Sequence, residues 1–307
     1  MEDKFWGSEI KPDYVDRLMM QLESAVPADS FFSGVGIVPL QEKIFGPLPR
    51  KISADDRVIV LFADLGQFRE IQFDGFYNSF DQLTEAEAFA KYKQHSNEAN
   101  IIYMNGLRGN ETYTTGVVAH ELQHLLAAGS VELSSENWLS EMLAEGAMLL
   151  SGFFTDQEHV NRFVADTAKV PLVTPTYVHY GPQLLFSSFL LDSLSLRDGT
   201  AIGRLNAIQA DGRKAVEQVF EQESKTRLSF DVIFSNFISY VFFHSQHGSS
   251  LPTAWNHRAG IRIPKIQPYF TFTDPSGEFA GTLAPYSFAV IDLQQSCTYP
   301  GQSPFSM

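Results

Sequence analysis

The spacing of hydrophobic positions changes from strand-like to helix-like near residue 114. Before that point, RVIVLFADLG (57–66) and NIIYMNG (100–106) are short apolar runs that end in turn residues, so each predicts a strand. Apolar residues at helical intervals predict helices over 14–25 and 84–95. These elements predict an N-terminal α+β lobe over residues 1–113 with a small mixed sheet. Its connections are predicted to be irregular where proline recurs at positions 39, 47 and 49.

Helical spacing dominates the middle of the chain, residues 114–250, which we predict to be a mainly helical lobe. Thr114 or Thr115 is expected to cap the first helix and Gly129 to end it. Ser134 or Ser135 is expected to cap a second helix over 136–152. Further helices are predicted over 181–194, 201–210 and 230–243.

The pattern returns to β after residue 251. Residues 261–274 and 281–293 predict two or three short strands, with a turn at Pro275–Gly277. Residues 251–307 are therefore predicted to be a short C-terminal β segment, with membership of a further β domain left open. The predicted fold class is α+β.

Composition and charge narrow the function classes. The chain has 307 residues, of which 44% are hydrophobic and 19% charged, as in ordinary globular proteins. The net charge of −14 argues against nucleic acid as a partner, because phosphate binding needs a basic surface. The single cysteine, Cys297, excludes both an intramolecular disulfide and a multi-cysteine metal site.

The apolar runs are too short to span a bilayer, so we expect no integral membrane segment. The first residues, MEDKFWGSEIKPDY, lack the pattern of a signal peptide. The sequence alone is compatible with a cytoplasmic protein or with an exported protein whose signal is not part of this sequence.

The residues with the clearest chemistry are HELQH, positions 120–124. On a helix, His120 and His124 lie one turn apart on the same face, which suits two ligands of one tetrahedral zinc ion. Glu121 lies beside them, where a carboxylate can take a proton from zinc-activated water. The alternative is an amphipathic helix that carries this spacing by chance.

A second helix can complete the site. Glu141, in WLSEMLAEGA, is placed to be a third ligand if this helix packs on the first across a short loop. Glu145 follows one turn later and could accept the free ring N–H of His120. The alternative places both glutamates on a solvated face, but the surrounding apolar residues leave little of such a face.

The combination of HELQH with the downstream WLSEMLAEGA resembles the hyicolysin family of zinc metallopeptidases, gluzincins that bind zinc through His, His and Glu. The similarity extends over most of residues 57–293, although only the two helical motifs are distinctive. The resemblance implies a zincin-like α+β fold, Zn²⁺ as cofactor, a peptide or protein substrate, and secretion or exposure at the cell surface. The sequence lacks the NExxxD motif of thermolysin-like peptidases, and Glu145 stands in the place of its aspartate.

Carried over by position, the resemblance makes His120, His124 and Glu141 the zinc ligands and Glu121 the general base and acid. Glu145 becomes the partner of a ligand histidine. Such peptidases also need a donor to the developing oxyanion, and Tyr180 is the candidate, with adjacent His179 as the alternate.

In zincin folds an edge strand beside the active-site helix pairs with extended substrate, and residues 101–105 are expected to form it.

Two rival functions remain from the sequence alone. One is a zincin-like metal-binding protein that no longer hydrolyses peptides, and the other is a helical interaction module in which the motif is accidental. A second metal site at His244 and His247 is also conceivable, although a helix C-terminus favours histidine there for its own reason. Substrate preference and oligomeric state are left open.

Overall fold

The computed structural model describes most of the chain, in thirteen stretches. They are residues 3–26, 30, 32–49, 57–68, 71–107, 111–127, 137–153, 157–174, 179–194, 199–208, 211–247, 261–272 and 280–293. Within them the fold is α+β, mostly helical with short strands, which confirms the predicted class. The expected Gly129 stop, the Ser134 or Ser135 cap, the turn at Pro275–Gly277 and Cys297 lie outside these residues.

The main sheet lies in the N-terminal part of the chain. It consists of β1 (Ile59–Ala63), β4 (Gly75–Tyr77) and β5 (Ile101–Asn105), in the order β1-β5-β4. Strand β5 pairs in parallel with β1, from Ile59 opposite Ile101, and antiparallel with β4, from Gly75 opposite Met104. A small antiparallel pair, β2 (Gln67–Phe68) with β3 (Ile71–Gln72), precedes β4.

The expectation that residues 101–105 form the sheet edge is wrong for the described sheet. Strand β5 is its central strand, and β1 and β4 are its edge strands, of which β4 packs against α4. The sequence around β4 is aromatic and rich in turn residues, and three residues are too few to show a strand period. Pairing with β5, rather than local pattern, makes this segment a strand.

The helices form the larger part of the molecule. In chain order they are α1 (Pro12–Glu23), α2 (Ile37–Phe45), α3 (Glu85–Tyr92), α4 (Glu111–Ala127), α5 (Asn137–Ser151), α6 (Gln157–Ala165), α7 (Gly181–Ser193), α8 (Thr200–Ala207), α9 (Gly212–Ser224) and α10 (Phe230–His247). Helix α4 packs against the sheet through β4 and β5, against α2, and against α5, which in turn packs on α7.

Most of the predicted helices are present, with shifted ends. Helix α4 begins at Glu111, so Thr114 and Thr115 are buried inside the helix instead of capping it. Helix α2 was not predicted, because Pro39 suggested an irregular connection. Pro39 in fact lies in the first turn of α2, where proline loses no helical hydrogen bond. Helices α6 and α9 were also not predicted.

The C-terminal part contributes one short parallel pair, β6 (Phe270–Phe272) with β7 (Ile291–Leu293). One cluster of buried apolar side chains runs from Phe5 to Phe288 and so includes residues of all three predicted segments. The division of the chain at residues 113 and 250 stays a prediction. Among the helices described, none combines the length and apolar character that crossing a membrane requires.

Candidate metal centre

The site is built on two antiparallel helices, α4 and α5. Helix α4 is buried around nearly all of its circumference, because the sheet, α2 and α5 cover different sides of it. Helix α5 is equally apolar, with Trp138, Met142 and Leu149 buried. The polar side chains that face each other between these helices are therefore largely withdrawn from water and need partners there.

Three of these side chains converge on one point. The Nε2 atoms of His120 and His124 lie 3.2 Å apart. The Oε2 atom of Glu141 lies 3.1 Å from Nε2 of His120 and 3.7 Å from Nε2 of His124. His120, His124 and Glu141 are the group that could hold a metal ion among the residues described.

The spacing of these atoms fits a tetrahedral centre. Zinc bonds of about 2.0–2.2 Å at tetrahedral angles separate two ligand atoms by about 3.3–3.6 Å. The three observed separations, 3.1, 3.2 and 3.7 Å, bracket that range. The residues therefore fit a metal ion of this size with small adjustments of side-chain torsions.

The other ring nitrogen of each histidine also has a partner on α5. The Nδ1 atom of His120 lies 3.3 Å from Oε1 of Glu145, and the Nδ1 atom of His124 lies 3.1 Å from Oγ of Ser140. An acceptor at Nδ1 holds the proton there and leaves Nε2 unprotonated for a metal. The placement of Glu145 beside His120 agrees with the sequence prediction.

Sequence reasoning missed Ser140. A signal was available, because α4 and α5 run in opposite directions. If Glu145 reaches His120, then His124, one turn further along α4, lies opposite the turn of α5 that precedes Glu145. That turn contains Ser140 and Glu141. The histidine partner next to the third ligand follows from that register.

The charges of this group are strongly coupled. Burial disfavours the charged imidazolium of His120, but hydrogen bonds to Glu141 and Glu145 outweigh burial and hold the pKa of His120 well above its usual value. Burial opposes ionisation of Glu141 as well, yet the charges and hydrogen bonds of His124 and His120 keep the pKa of Glu141 well below its usual value. Since ligands bind a metal deprotonated, a metal ion that entered this group would displace the proton of His120.

Glu121 lies beside the three converging atoms but on a different side of α4. The backbone N–H of Tyr77 in β4 faces its carboxylate and favours the charged form. The strand comes this close because residue 75 is glycine: a Cβ on Gly75 would lie 2.9 Å from Val117 Cγ1 and 3.2 Å from Glu121 Cγ. Burial raises the pKa of Glu121 above its usual value, although the neighbouring histidines oppose the shift.

Tyr180 lies at the start of α7, near the histidines. The centroids of the Tyr180 and His120 rings are 6.1 Å apart. Tyr180 has φ = 61° and ψ = −42°, and the N–H of Gly181 donates to the carbonyl of His179 at 2.7 Å. This is a γ-turn with positive φ at a bulky residue, a conformation that costs on the order of 1–3 kcal/mol and often marks a functional position.

His179, the alternate candidate, is half-buried one residue earlier, and burial lowers its pKa. The ring of Tyr180 contacts the ring of His120, which connects Tyr180 directly to the three converging side chains.

No protein-family model matches this sequence, and no curated protein matches it. The hyicolysin resemblance therefore rests on the residues themselves. What the structure supports is a group of two imidazoles and a carboxylate that could hold a metal ion, a buried glutamate beside it, and a tyrosine in a strained turn close by.

Proposed function

We propose that the protein is a zinc-dependent endopeptidase with a zincin-like fold, of the hyicolysin type. The observation that carries the proposal is the convergence of His120, His124 and Glu141 with the buried Glu121 beside them. Two imidazoles and one carboxylate form the usual protein set of a catalytic zinc site, which keeps its remaining position for water or substrate. A purely structural metal site has no use for Glu121.

Each residue then has a role in hydrolysis. A zinc ion at this site supplies Lewis-acid polarisation of the scissile carbonyl and lowers the pKa of the attacking water. Glu121 takes the proton of that water as its oxygen bonds to the carbonyl carbon, and delivers it to the amine nitrogen as the C–N bond breaks. The raised pKa of Glu121 suits a group that must accept and return a proton near neutral pH.

Tyr180 is the proposed donor to the oxyanion. Its phenol belongs to a ring that contacts His120, and its strained turn holds the residue close to the ligands. A positioned donor of this kind favours the tetrahedral intermediate over the planar substrate.

Strand β4 is the proposed docking edge for the peptide. The N–H of Asn105 donates to the carbonyl of Asp74 at 2.9 Å, so alternate residues of β4 direct their backbone groups toward β5. The intervening residues, Gly75 and Tyr77, direct theirs away from β5, and the N–H of Tyr77 faces the Glu121 carboxylate. An extended peptide paired with this edge would lie beside Glu121.

The test compares the wild type with Glu121→Gln and with the control Glu111→Gln, which changes an exposed residue on the same helix. Bound zinc is measured by mass spectrometry, and hydrolysis with a denatured, fluorescently labelled protein. We expect about one zinc per chain in all three proteins, and a loss of about 10²-fold or more in hydrolysis for Glu121→Gln alone.

Equal activity of wild type and Glu121→Gln would overturn the mechanism. A zinc-loaded wild type that cleaves none of a broad peptide library would instead favour the inactive metal-binding module. A protein that binds no metal would favour the helical interaction module.

A further inference from the structure

His159 of α6 stacks on the ring of Tyr180. The centroids of the His159 and Tyr180 rings are 5.1 Å apart and the planes meet at 27°, a stacked arrangement. Tyr180 thus contacts two imidazoles, His120 of the metal-binding group and His159 of α6. Stacked aromatic rings restrict each other's side-chain torsions.

The backbone around His159 is also fixed against Tyr180. A Cβ on Gly181 would lie 2.3 Å from the carbonyl oxygen of His159, so only glycine allows α7 to begin this close to α6. The γ-turn at Tyr180 immediately precedes this contact. The position of the Tyr180 ring therefore depends on where α6 presents His159.

The first turn of α6 is itself anchored. The side-chain amide of Gln157 donates to the carbonyl of Arg262 at 2.7 Å and accepts from the N–H of Arg262 at 2.9 Å. This two-bond contact ties α6 to the C-terminal part of the chain. The turn that carries His159 is therefore fixed by its contact with Gly181 and by its hydrogen bonds to Arg262.

We propose that His159 is a positioning residue, which holds the phenol of Tyr180 in the orientation that lets it donate to the substrate oxyanion. The expected effect of His159 on catalysis rests on the proposed peptidase function. The placement itself rests on the ring stack and on the contact at Gly181.

The activity test is a double-mutant cycle. His159→Ala and Tyr180→Phe are made singly and together, with His159→Phe to keep an aromatic ring and Glu158→Ala as a control at an exposed neighbour on α6. We expect His159→Ala to lower kcat about tenfold or more with little change in KM or in bound zinc, because the misplaced group acts in the transition state. His159→Phe should recover most of this loss, and Glu158→Ala should show none.

In the Tyr180→Phe background, His159→Ala should cost little more, since the group it positions is already gone. An undiminished loss in that background, or wild-type kcat for His159→Ala, would overturn the proposal.

A second readout needs neither zinc nor turnover. In protein labelled with ¹³C at tyrosine rings, the Tyr180 signals are those that disappear in Tyr180→Phe. We expect them to shift in His159→Ala, toward the values of an unstacked ring, and to shift much less in Glu158→Ala. Unchanged Tyr180 signals in His159→Ala would refute the stacking itself, whereas shifted signals in a protein without hydrolytic activity would count against the peptidase function alone.

Discussion

The Nδ1 atom of His120 lies 3.3 Å from Oε1 of Glu145, while the Nε2 atom of the same ring lies 3.1 Å from Oε2 of Glu141. Both nitrogens of one imidazole are therefore engaged by carboxylates one turn apart on α5. This pairing explains why two acidic residues occur on an otherwise apolar helix. It also makes the register of α4 against α5 a condition for the convergence of the three candidate ligands.

Removing a ligand should abolish the response to zinc. Apo protein is prepared by chelation, and Tm is measured with and without added zinc for wild type, His124→Ala and Glu141→Gln. Zinc at 1,000 times its Kd should stabilise the wild type by about 4 kcal/mol, because it binds the folded state. We expect the two variants to show little or no rise in Tm.

His244→Ala serves as the control, because it removes a histidine of the HSQH stretch in α10. Its rise in Tm should equal that of the wild type. A zinc-dependent rise that disappears in His244→Ala and persists in His124→Ala would place the metal in the HSQH stretch.

Changing the partners of the histidines should weaken metal binding without abolishing it. Glu145→Gln and Ser140→Ala each remove a partner of one ligand ring, and such changes typically lower metal affinity about 10–100-fold. Competition with a chromogenic chelator measures the Kd for zinc. Ser193→Ala, at an exposed position of α7, is the control, and equal Kd values in all four proteins would refute the role of these partners.

Gly181→Ala should destabilise the protein. The added Cβ would lie 2.3 Å from the carbonyl oxygen of His159, so the backbone of α6 or α7 has to move, at a cost of about 1–3 kcal/mol in the free energy of unfolding. Urea denaturation measures this loss. Gly146→Ala is the matched control, because its added Cβ would lie 3.3 Å from the nearest atom and alanine favours a helix interior. Equal stabilities of the two variants would contradict the close approach.

Stability should depend on the ionisation of Asp192. Burial raises the pKa of Asp192 from 3.8 to about 6, even though a hydrogen bond from the Tyr240 hydroxyl at 2.7 Å favours its charged form. A raised folded-state pKa means that the folded protein binds the proton more tightly. The resulting stabilisation is complete below pH 3.8 and is lost as the pH rises through about 6.

Asp192→Asn should therefore make the free energy of unfolding less dependent on pH. The fall in this free energy between pH 4 and pH 7 should be smaller by about 1–2 kcal/mol, once solvent screening of this half-buried group is allowed for. Tyr240→Phe should act in the opposite direction, because it removes the hydrogen bond that favours the carboxylate and moves the loss of stability to higher pH. Denaturation at a series of pH values measures both effects. The same slope in wild type and Asp192→Asn would contradict the assignment.

The local part of the candidate site followed from sequence alone. His120 and His124 share a face because a helix places residues four apart on one side, and this holds wherever the helix packs. Glu141 and Glu145 could be assigned because a short connection between two apolar helices favours antiparallel packing. Strand β1, β5 and most helices also followed from local periodicity, which does not depend on distant contacts.

Other features depended on contacts between distant segments, which local patterns do not encode. Strand β4 is a sheet edge only because it pairs with β5. The need for glycine at position 75 comes from the close approach of Glu121, which is distant in sequence. The strained turn at Tyr180 and the stack with His159 depend on the close approach of α6 and α7 at Gly181. The sequence by itself determined which side chains could bind a metal, because a helix fixes neighbours one turn apart. Only the tertiary structure decided which strand and which rings surround them, because packing between distant segments sets those distances.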